Sequence, residues 1–534
     1  MKKIHCSCCL LFLFLFSHAQ FKEIATGPSF EEPRSGFSKM LLMKNGNAVF
    51  LRVGFKNDGI DARIYDPQHK EIALTTFDPA YGKLKSGSLE GAFEIQGDIV
   101  LLVSEIDEDE DRPVLYRLII DGQSGKLKEE KEIASLFRIT KKMQKSIKFG
   151  KTGAPDFSVS KDPDSDNYAV ILFNSFEKTS NKRIEIVLYG SDHEEVTRAY
   201  YESPEGKYKY MEFKSMAVMG SEKVFVLANA YDPDEKEAEL VLATLKRSQS
   251  VVEYNELNLP KDRKLENGIV RYNKHTQKLI VVAKLSDKKM EKKEKKDKDE
   301  KNEASLYIAF LDPQVGKTEK VLQSGVTKEV HQRLTEVYGN KTRYSGVPVN
   351  LLINNDGGFT VVYEELEIVW VQWSDHVSAH AESWDVLVST FDRAGELQTS
   401  YIIMKNFFID RAGTPTYAGG FANNYKRVVY INGPAKSYIL LNDTRRNIER
   451  QEAKTKPLQV IGVSDSDAFY FPLTGTDPAP KRKYLFGLSE DPKARNLAPL
   501  GVSAYDPEND IFIVLRLNKT EGKKTVNVLW LKPE

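Results

Sequence analysis

The chain has 534 residues, 41% of them apolar and 29% charged, and its 77 basic residues balance its 77 acidic ones. That composition is ordinary for a globular protein with a well-solvated surface. The balance excludes a global basic field for nucleic acid and an acidic one for cationic partners.

Residues 1–19 read as a signal peptide: Lys2 and Lys3 form the positive end, Cys9 to Phe16 the apolar run, and Ser17-His18-Ala19 the small residues before a cut. The run is too short for a bilayer span, which needs about 20 apolar residues, and no later stretch of that length lacks charges. All three cysteines, Cys6, Cys8 and Cys9, lie in this segment. They precede or open the apolar run, unlike the lipid-bearing cysteine of a lipoprotein, which follows it. A chain starting at Gln20 therefore has no disulfide, no thiolate nucleophile, no Cys-ligated zinc and no iron–sulfur cluster. The expected location is exported: periplasmic, outer-surface or extracellular.

From there on, one phrase recurs nine times, a polar turn followed by a short apolar, β-prone run. Asn45-Gly46-Asn47 leads into Ala48 to Leu51, Gly97-Asp98 into Ile99 to Val103, and Asp162 to Asn167 into Tyr168 to Phe173. Further copies end in Val224 to Leu227, Leu279 to Val282, Phe359 to Tyr363, Val428 to Tyr430, Phe469 to Phe471 and Ile511 to Leu515. A second strand follows most copies, such as Leu115 to Ile120, Ile184 to Leu188 and Val386 to Phe391. Several of these end in Asp-Pro or Asp-Gly, where aspartate bonds its own backbone and proline or glycine supplies the required φ.

Repeats at intervals near fifty residues with such turns predict the blades of a β-propeller. Runs that are apolar throughout suit sheets buried on both faces. The all-β expectation is a single ring over residues 20–534, of about eight blades with seven to nine allowed; two smaller β domains are the alternative. The last two intervals, 41 and 43 residues, are short, so one of the nine strand pairs is expected to extend a blade rather than form its own. Phe21 to Ile24 and Thr525 to Leu531 are strands without nearby partners, and pairing them closes the ring. The only helix expected is Lys328 to Tyr338. On this turn-plus-strand repeat, the chain resembles the broad class of secreted bacterial β-propeller repeat proteins. The repeat is not specific to one family, so the resemblance implies the fold and no site residue.

Four segments depart from the repeat. Asp287 to Glu303 is almost wholly charged and sits between two strands of one blade as a mobile solvated loop (287–303). Arg138 to Lys151 carries six cations and no acid, and reads as a solvated connection between blades. Asp162, Asp164 and Asp166 have the spacing of a calcium loop but lack its glycine and its final glutamate, so they read as a turn. The window Glu367 to Asp385 holds three of the four tryptophans, Trp370, Trp373 and Trp384, with His376 and His380. It predicts a hairpin that projects beyond its blade, and its aromatic side chains suit a sugar ring or a protein partner. These five residues are the candidate binding surface. His376 and His380 have helical metal-pair spacing without the glutamate or the helix, so no metal site is expected.

No serine-hydrolase elbow, P-loop or dinucleotide fingerprint occurs, and no cofactor is expected. The functional expectation is a non-catalytic binding or scaffold propeller for a protein or glycan partner. The alternatives are a polysaccharide hydrolase or lyase and a structural subunit of a cell-envelope assembly. Carboxylates about 5–10 Å apart in the central channel would mark the hydrolase or lyase. The expected state is a monomer or a subunit of an envelope complex.

Overall fold

The computed structural model describes residues 21–534 except 34–35, 55–57, 80–86, 108–109, 149–153, 203–209, 233–236, 256, 261–262, 288–304, 340–343, 373–376, 410–423, 490–493 and 521–522. The segment read as a leader and almost all of the charged insertion lie outside the described residues. The described residues form eight antiparallel sheets, each built on a four-stranded meander, with a fifth short strand added in two of them; seven of the meanders run in sequence order. Blades 1 to 7 span Phe37–Phe77, Ser88–Ser135, Asp156–Tyr200, Tyr210–Asn255, Arg263–Ser324, Val347–Ile403 and Val429–Tyr484.

Blade 8 takes three strands from Ser503–Lys532 and its outer strand from Lys22–Thr26, which pairs Glu23 with Leu531 and Thr26 with Leu529. The ring is closed by its own termini, as the two unpartnered terminal strands predicted. Trp530 of that blade packs on Tyr65 and His69 of blade 1, with ring centroids 5.3 and 4.8 Å apart. Two separate β domains are thereby excluded.

The strand period explains why the runs are apolar throughout. Successive side chains of a strand point to opposite faces. In Ala48–Val53, Val49, Leu51 and Val53 face blade 2, while Ala48 and Phe50 face blade 8. In blade 4, Val224 and Val226 face blade 3, and Phe225 and Leu227 face blade 5. Each gap between neighbouring blades is filled this way, so eight thin cores replace one large one.

Nine copies of the phrase make eight blades because blade 7 contains two of them. Val428 to Tyr430 leads into its inner strand, Val429–Asn432, and Phe469 to Phe471 lies in its third strand, Ser466–Leu473. Both strands are packed on two sides, and local apolarity does not distinguish them.

Helix is less scarce than the sequence suggested. Beside α1 (Lys141–Lys148) and α2 (Lys328–Tyr338) there is α3 (Arg446–Glu452). In α2, Thr327 caps the first turn by accepting from the Val330 amide, and Val330, Leu334 and Val337 are buried at helical spacing. The basic stretch read as a plain connection contains α1.

In each meander the first and third turns lie at one end of the ring. The second turns and the connections between blades lie at the other. We call these the turn face and the hairpin face.

Turn-face loops are short and satisfied from within. Asp66, Asp121, Asp312 and Asp392 each accept backbone amides two to four residues ahead, as at Gln314 N to Asp312 Oδ1, 2.7 Å. Gly46 and Gly97 take φ of 85° and 84°, which side-chain-bearing residues rarely adopt. The Asp162–Asn167 loop is a turn, and it also ties blades together. Asp166 meets Lys44 of blade 1 at 2.7 Å and the Gln96 amide of blade 2, Asp162 accepts from the Gly220 amide of blade 4, and Asp164 meets Lys274 of blade 5.

Candidate binding site on the hairpin face

The window rich in tryptophan forms the longest hairpin of the ring, Phe359–Gln372 with Val377–Phe391, second and third strands of blade 6. Its outer half is stitched to the body by Phe407–Ile409, which pairs with Ala381–Ser383, while Phe407 also bridges to Val460. Of the five candidate residues, Trp373 and His376 lie outside the described residues. The backbone of Trp370 pairs with Ala379. His380 pairs with Val369 and stacks, tilted, on Phe408 with centroids 5.0 Å apart. Trp384 is half-buried in a bulge at the base of the projection.

That bulge has a chemical consequence. The register jumps from Glu364↔Val386 to Leu366↔Ser383, leaving Glu365 opposite Trp384 and Asp385. A bulge re-aims side chains, and here Glu364, Glu365, Ser383 and Asp385 are all buried. Lys405, 0% exposed, answers them: its ammonium donates to Glu364 Oε1 at 2.8 Å and to Ser383 Oγ, and lies 4.7 Å from the centre of the Phe407 ring. Tyr338, at the end of α2, donates to Asp385 Oδ1 at 2.8 Å, and Ser345 donates to Glu365 through its amide and hydroxyl. Burial first, then the Asp385 charge, pushes the Tyr338 phenol well up, so it stays a donor. The network fixes α2 to the hairpin base.

Beside it, between blades 6 and 7, opens a cavity of about 320 Å³. Val337, Ile402, Met404 and Ile448 supply apolar walls, and Arg333, Arg450, Lys454, Lys481 and Arg482 supply positive charge. Arg482 is anchored from behind, to Asp443 at 2.6 Å and to Gln451 Oε1 at 3.0 Å. Asp443 also accepts from Asn447 Nδ2 at 2.7 Å, and burial pushes its carboxyl up even with Arg482 against it. Arg333 is held by Asp477 and Glu336, and Lys454 by Glu336. Arg450 and Lys481 are exposed and have no ion-pair partner among the described residues. Pro457 lines the cavity and Val460, three residues on, bridges to Phe407, so one segment of chain runs from the cavity to the strand that stitches the hairpin.

The channel carries a second, smaller feature. Glu90 and Asp156 lie on the inner strands of blades 2 and 3, towards the hairpin face. Burial, then the Asp156 charge, raises the Glu90 carboxyl to about 7 although Ser104 donates to it at 2.8 Å. Burial also raises Asp156. Elsewhere the inner strands show Lys–Glu pairing, as at Lys214 with Glu212, 2.6 Å. Among the described residues no three His, Cys, Asp or Glu side chains come together as a metal site.

Sequence reasoning found the hairpin and missed the cavity and Lys405. The cavity walls come from residues 333–337, 402–404, 447–457 and 477–482, far apart in sequence. The available signal was a helix-prone, highly charged stretch, Arg445 to Lys456, interrupting two strands of one blade.

No family model matches this chain, and no curated protein matches it. Solved structures with similar folds exist. Porphyromonas gingivalis dipeptidyl peptidase 4 matches at 9% identity and a TM-score of 0.43, over 92% of this chain and 59% of that one. A polysaccharide lyase matches at 8% identity and 0.38, over 86% and 93%. The β-propeller domain of the Trilobed protease from Pyrococcus furiosus matches at 11% identity and 0.33, over 69% and 95%. None of these likenesses assigns an activity to this chain.

Proposed function

We propose that this chain is an exported, non-catalytic binding propeller whose ligand docks in the cavity between blades 6 and 7. The leader-like pattern of Lys2, Lys3 and Cys9 to Phe16 supports export. The observation that carries the binding reading is the cavity itself: apolar walls, a back wall of anchored guanidinium, and two unengaged cations, Arg450 and Lys481, at its edge. Sites of this kind bury an apolar body and fix its orientation with a few charges. The fitting ligand has a carboxylate or sulfate on an apolar body, as an acidic glycan residue or an acidic side chain of a protein partner does.

Calorimetric titration with an acidic oligosaccharide, its neutral counterpart and an acidic peptide tests this. Binding confined to the acidic compounds, and weakened about tenfold or more in R450A/K481A, is the expected result, since charge-assisted bonds contribute about 1.5–3 kcal/mol each. Equal affinity for the neutral sugar, or full affinity in the double variant, would refute it.

Glu90 and Asp156 favour a second reading, a polysaccharide hydrolase or lyase with Glu90 protonated near neutral pH as the acid. Release of reducing ends by the wild type, lost in E90Q, would establish it. The absence of any release by the wild type across a panel of acidic polysaccharides would remove it. The envelope-subunit reading predicts stoichiometric co-purification with other envelope proteins.

A further inference from the structure

The cavity between blades 6 and 7 holds its cations in three ways. Arg482 is fixed: its side chain is 3% exposed, its partner Asp443 is buried, and withdrawing it would leave that carboxylate uncompensated. Arg450 and Lys481 are exposed and have no ion-pair partner among the described residues. Arg333 and Lys454 lie between these limits. Arg333 meets Asp477 at 3.2 Å and Glu336 at 3.4 Å, and Lys454 meets Glu336 at 3.0 Å. Asp477 and Lys454 are each 51% exposed, so these pairs stand in water and contribute little net stability. A ligand carboxylate can replace Asp477 or Glu336 at little cost, which makes the two pairs exchangeable.

The apolar part of the cavity is aliphatic. Val337, Ile402, Met404 and Ile448 form it, and no aromatic ring lines the cavity among the described residues. A sugar ring presents a flat face that suits a flat aromatic surface, whereas branched walls and an adaptable methionine suit an aliphatic side chain. The volume, about 320 Å³, lies near the lower end of ligand sites, roughly 300–1,000 Å³. It admits one anchoring side chain rather than a run of sugar rings. An apolar anchor seated in a pocket and ringed by polar groups is the usual form of a hot spot between proteins.

Resting on the reading of this cavity as a binding site, we propose that its occupant is an acidic segment of a protein partner: an aliphatic side chain flanked on both sides by aspartate or glutamate. The aliphatic side chain sits against Val337, Ile402, Met404 and Ile448. One acid meets Arg450 or Lys481, and a second displaces Asp477 from Arg333 or Glu336 from Lys454. Asp477 and Glu336 are thereby specificity residues. They occupy the second pair of cations until a ligand with more than one acid arrives, and a ligand with a single carboxylate engages the first pair alone.

Calorimetric titration of the full chain tests this with end-blocked peptides and a sugar. The parent peptide has one leucine flanked by two glutamates on each side; its relatives carry alanine for the leucine, or glutamine for three of the four glutamates. The sugar is tetragalacturonate, of equal charge. Expected is tightest binding by the parent, weakened about tenfold or more by alanine, since a buried leucine side chain is lost. In D477N the Asn side chain can still accept from the Ala479 amide, as Asp477 Oδ1 does, while Arg333 loses a carboxylate. The peptide with a single glutamate is then expected to bind about threefold more tightly than it binds the wild type. Asp477 is exposed, so unchanged melting of D477N separates altered binding from altered folding. Equal affinity for the leucine and alanine peptides, tetragalacturonate binding as tightly as the parent, or no gain in D477N would overturn the proposal and leave the cavity an anion site. Failure of every acidic probe to bind would overturn both.

Discussion

The two faces of the ring use the same chemistry to different effect. On the turn face, Lys44–Asp166 and Lys274–Asp164 join blades in solvent, with lysine side chains 64% and 56% exposed. On the hairpin face, Lys405–Glu364 and Arg482–Asp443 are sealed, with cations 0% and 3% exposed. An exposed pair exchanges water for a partner at little net gain, whereas a buried charge has no alternative to its partner. The difference teaches that the repeat's own turns tolerate change, and that the irregular blades 6 and 7 hold the charges that cannot be removed one at a time.

The sharpest way to break that contrast is Lys405→Met. It leaves Glu364 buried without its cation and is expected to destabilise by about 3–5 kcal/mol, with K405M/E364L recovering much of the loss. Chemical denaturation of the two variants decides it, and a mild single variant would put the hairpin base on the same footing as the turn face.

The channel lies between the extremes. Glu90, raised to about 7, binds its proton more tightly in the folded chain than in the unfolded one. Its contribution therefore falls as pH rises from the ordinary glutamate range through about 7. Glu90→Gln is expected to match the wild type near pH 4 and to be more stable by about 1–3 kcal/mol above pH 8. Melting temperatures across that range check the sign; a variant less stable at high pH would show that the carboxylate is held by attraction.

The smallest effect is expected at the turn face. Lys44→Ala should cost about 0–1 kcal/mol, and less in high salt. A loss comparable to that of Lys405→Met would erase the distinction between the faces.

Much of the fold was legible because it rests on local rules. Asn45-Gly46 and Asp121-Gly122 announce turns, and the runs between them are apolar because both strand faces pack on neighbouring blades. The blade count was soft because Val428 to Tyr430 and Phe469 to Phe471 are equally apolar, although one is an inner strand and the other a third strand of the same blade. The candidate site was legible only in part. Three tryptophans in one window announced an unusual hairpin, but Lys405 reads as one of many lysines until its burial is seen.

By itself the sequence determined an all-β ring closed by its own ends, because turn chemistry and strand period act over a few residues. Only the tertiary structure decided where charge is buried and where a ligand fits. Lys405 meets Glu364 across 41 positions, and Arg482 meets Asp443 across 39. Arg333, Met404, Arg450 and Lys481 share one cavity through the packing of two blades and two helices. Such meetings depend on how blades are placed around the ring, and no local pattern records that placement.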